Sequence, residues 1–222
     1  MSRRLVIPDQ AEAEQDIPVT HGWWTFSTRY NVAPSQRVPV ARIHEKESEG
    51  VMMRWGLIPS STKGDEPGPG VPSIGRGALD SREEYRPAWL NGQRCVVPVA
   101  GFYLWQRDGG GHSQPHYVRL VNRVVFGIAA LWDRFVTDDD DVIEGCALIL
   151  VPGNSLTGEL DGSQGMPAIL HRDRYDAWLR ARPAEARDLL QTYPSERMVM
   201  HPVGPHVNFP EYDDPRLIRP IG

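Results

Sequence analysis

The sequence predicts an α+β fold dominated by antiparallel strands, and three observations carry that expectation. Short alternating or wholly apolar runs recur along the 222 residues. Glycine (21) and proline (20) exceed ordinary usage and punctuate those runs with turns. Helical spacing is confined to short stretches late in the chain. The length suits one domain, residues 1–222, with no internal repeat and no dividing linker.

Taken in order, Arg37–Ile43 (RVPVARI) alternates and reads as a strand, as does Val51–Leu57 (VMMRWGL). Ser60–Ser73 (SSTKGDEPGPGVPS) has no apolar period and is a long loop, of the kind that forms lids or binding edges. Tyr85–Gly92 is a short helix or turn. Arg94–Val97 and Phe102–Arg107 are strands, with Pro98 and Gly101 breaking the run between them. Arg107–Gln114 (RDGGGHSQ) is a hairpin tip leading into His116–Val121. Val124–Trp132 (VVFGIAALW) is a central buried strand and Ala147–Val151 another. Between them, Thr137–Asp141 is a solvated acidic turn without the ligand spacing or glycine of a calcium loop. His171–Arg180 sets Tyr175, Trp178 and Leu179 at helical spacing, and Pro183–Leu190 starts a second helix with proline in its first turn. Arg197–Val203 is a closing strand.

Composition narrows the function classes. Lys and Arg total 24 against 29 Asp and Glu, a net charge of −5, so a nucleic-acid role would rest on a local basic groove. The two cysteines, Cys95 and Cys146, exclude a disulfide scaffold and a four-cysteine zinc site, and make a reducing cytoplasm the default. No apolar run approaches the ~18 residues of a membrane span. The opening MSRRLVIPDQAEAEQD has no apolar signal core. GNSLTG and GSQG miss the spacing of a nucleophile elbow, no GK[ST] phosphate loop is present, and HEKES is not HExxH. The seven histidines are scattered, so neither a metal nor a cofactor is expected. Trp55, Trp105 and Trp132 read mainly as core. Trp23 and Trp24 are adjacent, so in an extended segment one of them faces outward.

Four ordered segments carry a resemblance: Arg29–Gln36 (RYNVAPSQ), Trp55–Pro59 (WGLIP), Arg94–Trp105 (RCVVPVAGFYLW) and His201–Ile221 (HPVGPHVNFPEYDDPRLIRPI). Together with FGIAALW and the MPAIL of Met166–Leu170, they resemble the SOS-response-associated peptidase (SRAP) family over essentially the full chain. The resemblance implies a single α+β domain around an open, barrel-like, mostly antiparallel β core with a few short helices. It further implies a positively charged channel for single-stranded DNA and recognition of abasic sites. In the family, a cysteine exposed at position 2 traps the ring-opened sugar as a thiazolidine, assisted by asparagine, glutamate and histidine. The same site is associated with cleavage of the protein's own N-terminus.

This sequence departs from that pattern at each reactive position. The nucleophile falls at Ser2, the asparagine at Ile74, the glutamate at Leu104 and the histidine at Ser163, whose motif's arginine falls at Gly165. Slack in the alignment allows Ser73, or the DSREE of Asp80–Glu84, in place of Ile74. A hydroxyl has essentially no alkoxide without an adjacent base, and leucine transfers no proton. Losing a general acid or base typically costs ~10²–10⁴ in rate. Binding groups are better kept. Arg4 and Arg76 match phosphate-facing arginines, and Asn31, Pro34 and Trp105 match positions that line or shape the channel.

Three readings follow. The first is a strand-binding member without the crosslinking and peptidase chemistry. The second is an active enzyme using the Ser2 amine as a Schiff-base nucleophile, or an acid relocated to Glu83 or Glu84. The third is a protein-interaction module that no longer binds DNA. The expected partner is single-stranded, abasic-site DNA, and the expected state is a monomer without membrane association.

Overall fold

The computed structural model describes residues 4–64, 68–107, 113–158, 160 and 165–221. In chain order its strands are β1 (Leu5–Ile7), β2 (His21–Gly22), β3 (Arg29–Val32), β4 (Arg37–His44), β5 (Glu47–Trp55), β6 (Ser73–Gly75), β7 (Arg94–Val99), β8 (Gly101–Arg107), β9 (Ser113–Leu120), β10 (Phe126–Val136), β11 (Val142–Val151), β12 (Met166–Pro167) and β13 (Met198–Pro202). The helices are short: α1 (Gln10–Asp16), α2 (Arg86–Leu90), α3 (Tyr175–Arg180) and α4 (Pro183–Asp188).

The core is a barrel. Strands β11, β10, β7, β4 and β5 follow one another, and β5 returns to β11 through a short parallel contact, Arg54 opposite Gly145 and Trp55 opposite Cys146. That closure depends on Gly145, because a Cβ there would overlap the Gly56 carbonyl. Val40, Met53, Cys95, Val97, Ile128 and Cys146 are fully buried. Burial pushes the Cys95 thiol up, so it stays protonated. Arg42 bonds to Glu49 on β5 (2.6 Å) and Glu144 on β11 (2.7 Å) and lies 4.4 Å over the Trp132 ring, so paired charges knit three strands together. The second sheet runs β13-β9-β8-β1-β3 and is antiparallel throughout.

The α+β class and barrel-like core expected above are present, with the ring closed at the β5–β11 seam. The central strand β10 lies between β11 and β7 as its apolar run predicts. Pro98 and Gly101 do not break the chain into irregular structure. Pro98 lies within β7, beyond the last β4–β7 pair, where a one-sided strand tolerates the missing N–H. Gly101 begins β8 opposite Val6. Strands β4, β9 and β13 and helix α4 lie where expected, and Thr137–Asp141 is a turn closed from the Thr137 N–H to the Asp141 carbonyl.

Helix α1 was not anticipated, although it carries its own start signal. Asp9 accepts from the Ala11 N–H at 2.9 Å, with Glu12 in the first turn. Trp24 Nε1 donates to Glu14 on this helix at 2.9 Å. Trp24 is buried while Trp23 is 73% exposed, the opposed orientation their adjacency requires. No helix among the described residues is long and apolar enough to cross a membrane.

Candidate nucleic-acid interface

Strand β1 lies between the strands that carry RYNV and GFYLW: Leu5 pairs with Val32 on one side and Phe102 on the other. Alternation along β8 then divides its side chains. Phe102 and Leu104 join the main core, whereas Tyr103 and Trp105 face a smaller cluster with Val6, Tyr117, Val203, Val207 and Leu217. Gly101 permits this packing, because a Cβ there would overlap the Tyr117 ring. The Tyr103 hydroxyl donates to the Tyr30 carbonyl (2.8 Å) and Tyr117 to the Ala100 carbonyl (3.1 Å). Burial pushes the Tyr117 phenol up to about 12, and that of Tyr103 up as well. Both remain protonated donors at neutral pH and supply no base.

The chain's last described segment covers that smaller cluster and gathers several expected residues. Arg4 Nη2 donates to the Asn208 carbonyl at 3.2 Å, and Trp105 Nε1 donates to Asn208 Oδ1 at 2.8 Å. Asn31 is wholly buried, and its amide donates to the carbonyls of Phe209 (3.0 Å) and Tyr212 (2.9 Å). Asn31 therefore has no surface of its own to offer a strand, and it shapes the site by fixing the 208–213 turn. Asp213 completes the clamp, accepting from the Arg29 guanidinium and from the backbone N–H groups of Tyr30 and Asn31. Pro34 is half-buried on the turn between β3 and β4.

Ile74 and Arg76 belong to a second group beside β11. Ile74 sits in β6, opposite Ile149, and is buried in the main core. β12, which begins the MPAIL segment, pairs with the same stretch, Leu150 opposite Pro167. Arg76 starts the turn after β6, is half-buried, and makes no hydrogen bond or ion pair among the described residues. Ser2 and Ser163 lie outside the described residues, and Gly165 precedes β12.

Leu104 is 2% exposed and directly opposed to His116 on β9. His116 Nδ1 lies 3.1 Å from the Gln114 carbonyl, which only accepts, so the Nδ1 N–H donates to it. Sequence reasoning passed over His116, Asn208 and Asp213. For His116 a signal existed, because the GFYLW and QPHYVRL strands of one hairpin place it across from Leu104. Of the alternative acids, Asp80 is paired with Arg187 at 2.7 Å, Glu84 lies 3.6 Å from Arg82, and Glu83 is exposed. Among the described residues no group of His, Cys, Asp and Glu could hold a metal ion.

The chain belongs to a family with members named for abasic-site processing. The sequence profile described as "SOS response associated peptidase (SRAP)" matches residues 3–210, and the chain belongs to that family. Among its relatives, "Abasic site processing protein YoqW" of Bacillus subtilis (strain 168) is 28% identical over 87% of this chain and 86% of its own length. "Abasic site processing protein HMCES" of Gallus gallus is 30% identical over 88% of this chain and 67% of its own. In fold, a crystal structure of a Bacteroides thetaiotaomicron protein superposes with a TM-score of 0.79 at 24% identity, covering 86% of this chain and 85% of that one.

Proposed function

We propose that this protein holds single-stranded DNA at abasic sites without forming the family's covalent crosslink. The observation that carries the reading is Leu104. At the glutamate position it is a buried apolar side chain packed into the main core, with Ile74 likewise buried at the asparagine position. A leucine has no ionisable group, so proton transfer has no carrier there. Arg4 and Trp105 persist on the opposite face, converging on Asn208. Cations there neutralise phosphates and an indole stacks on a base without reading its identity. The buried free thiols of Cys95 and Cys146 suit a cytoplasmic setting.

The test is a pair of gels. A native shift with intact single-stranded DNA that weakens with salt, beside a denaturing gel showing no adduct on abasic DNA, supports the reading. A covalent adduct with the wild-type protein overturns it.

His116 favours a second reading, in which the Ser2 amine forms a reversible Schiff base with the abasic aldehyde. Its imidazole stands directly across from Leu104, with Nδ1 engaged to the Gln114 carbonyl. Borohydride reduction in the presence of abasic DNA distinguishes the two, because only an imine is trapped.

A further inference from the structure

We propose that the groove over the β5–β11 seam is a phosphate-binding site made by Arg37 and Arg54, taken in the working protein by a backbone phosphate of the bound strand. The identity of that occupant rests on the strand-binding reading above. The site itself rests on the arginines.

Arg37 on β4 and Arg54 on β5 are directly opposed in the antiparallel register. Like charges so placed destabilise a strand pair unless something neutralises them. Among the described residues, neither arginine forms an ion pair. The carboxylate that borders the groove, Glu144, is committed to Arg42 at 2.7 Å.

Both guanidinium groups are held in place rather than loose. Arg37 Nη2 donates to the Met52 carbonyl (2.9 Å) and Arg54 Nη2 to the Gly68 carbonyl (3.0 Å). Arg54 Nε is enclosed and has no hydrogen-bond partner among the described residues. The groove between them has a volume of about 520 Å³ and also receives Ser35. Ser35 holds a left-handed backbone (φ 74°), fixed by its N–H to the Trp55 carbonyl at 2.7 Å. Two anchored forks with spare donors and a hydroxyl beside them suit a tetrahedral oxyanion, which accepts paired N–H groups from arginine. Ser35 directly follows Pro34, one of the residues expected to shape the DNA channel, so the groove continues that surface.

The experiment compares the wild-type protein with Arg37→Gln and Arg54→Gln, in two arms. In the first, melting temperature is read in sodium phosphate and in sodium chloride of equal ionic strength. The wild type gains stability in phosphate over chloride by mass action, and each variant loses that gain. Arg37→Gln also melts no lower than wild type in chloride, since the opposed charges are relieved, which separates loss of a ligand from loss of the fold. In the second arm, fluorescence anisotropy follows an oligonucleotide of about fifteen nucleotides across a salt series. Each variant lowers the slope of log affinity against log salt by about 0.7, one phosphate contact on a single strand.

An equal phosphate response in all three proteins overturns the site. A lost phosphate response with unchanged DNA slopes keeps a phosphate site and overturns the strand as its occupant. A wild type that binds no DNA at any salt overturns the function proposed above, and the phosphate arm alone then decides the site.

Discussion

Leu104 and His116 face each other as a directly opposed pair across β8 and β9. An apolar side chain and an imidazole thus stand side by side on neighbouring strands. Replacing the leucine by an acid tests whether that corner still has the geometry for proton transfer.

Leu104→Glu alone is expected to destabilise the protein by roughly 2–4 kcal/mol, the cost of putting a polar group into a packed core. His116 offsets part of that cost. A double-mutant cycle of Leu104→Glu with His116→Leu, read by urea unfolding, is expected to show a favourable coupling of about 1–2 kcal/mol. Combining Leu104→Glu with Ser2→Cys is expected to produce an adduct with abasic DNA on a denaturing gel, and neither single variant is expected to do so.

Asn31→Ala removes both amide hydrogen bonds that fix the 208–213 turn. It removes two partly buried hydrogen bonds and should cost about 1–3 kcal/mol. Hydrogen exchange should quicken across residues 205–213 ahead of the barrel strands. Affinity for single-stranded DNA should drop while its salt slope holds, since no cation is lost.

Arg4→Gln and Arg76→Gln act on charge directly. Each is expected to weaken DNA binding evenly across sequences and to lower the salt slope by about 0.7. Trp105→Ala is expected to weaken binding by about 1–3 kcal/mol with no change in slope, the signature of a lost stacking contact.

Alkaline pH probes the tyrosines beneath the site. Burial raises the Tyr117 phenol from 10 to about 12 in the folded protein. Between those values the unfolded chain binds fewer protons than the folded one, so stability falls as pH rises. The contribution is complete below pH 10 and is lost by about pH 12, a change on the order of 2–3 kcal/mol. A spectrophotometric titration of wild type and Tyr117→Phe, with melting at each pH, should show the loss in the former and a smaller one in the latter.

Much of this was legible in the chain, for identifiable reasons. Val124–Trp132 is apolar nearly throughout, and from Phe126 onward it forms the barrel strand flanked on both sides. Leu104 stood out because a short motif fixes its place between Tyr103 and Trp105. Strands β1 and β3 could not be read from periodicity, since runs of three and four residues hold no period and exist through pairing with each other and with β8. Asn31 was assigned by its motif but not its role, because its partners are carbonyls 178 and 181 positions away. The arginine pair was invisible for the same reason. Arg37 and Arg54 are unremarkable in sequence and meet through the register of β4 against β5.

The Asn208 knot has a bearing on how the molecule comes into being. Arg4 is secured by a residue far along the chain, as are Asn31 and Trp105. During synthesis the barrel staves can all emerge before that knot is tied, so a nascent protein passes through a stage with a complete barrel and an open corner. Any product ending short of residue 208 would stay at that stage, which makes the corner where Arg4 and Trp105 meet a late-maturing feature of the fold.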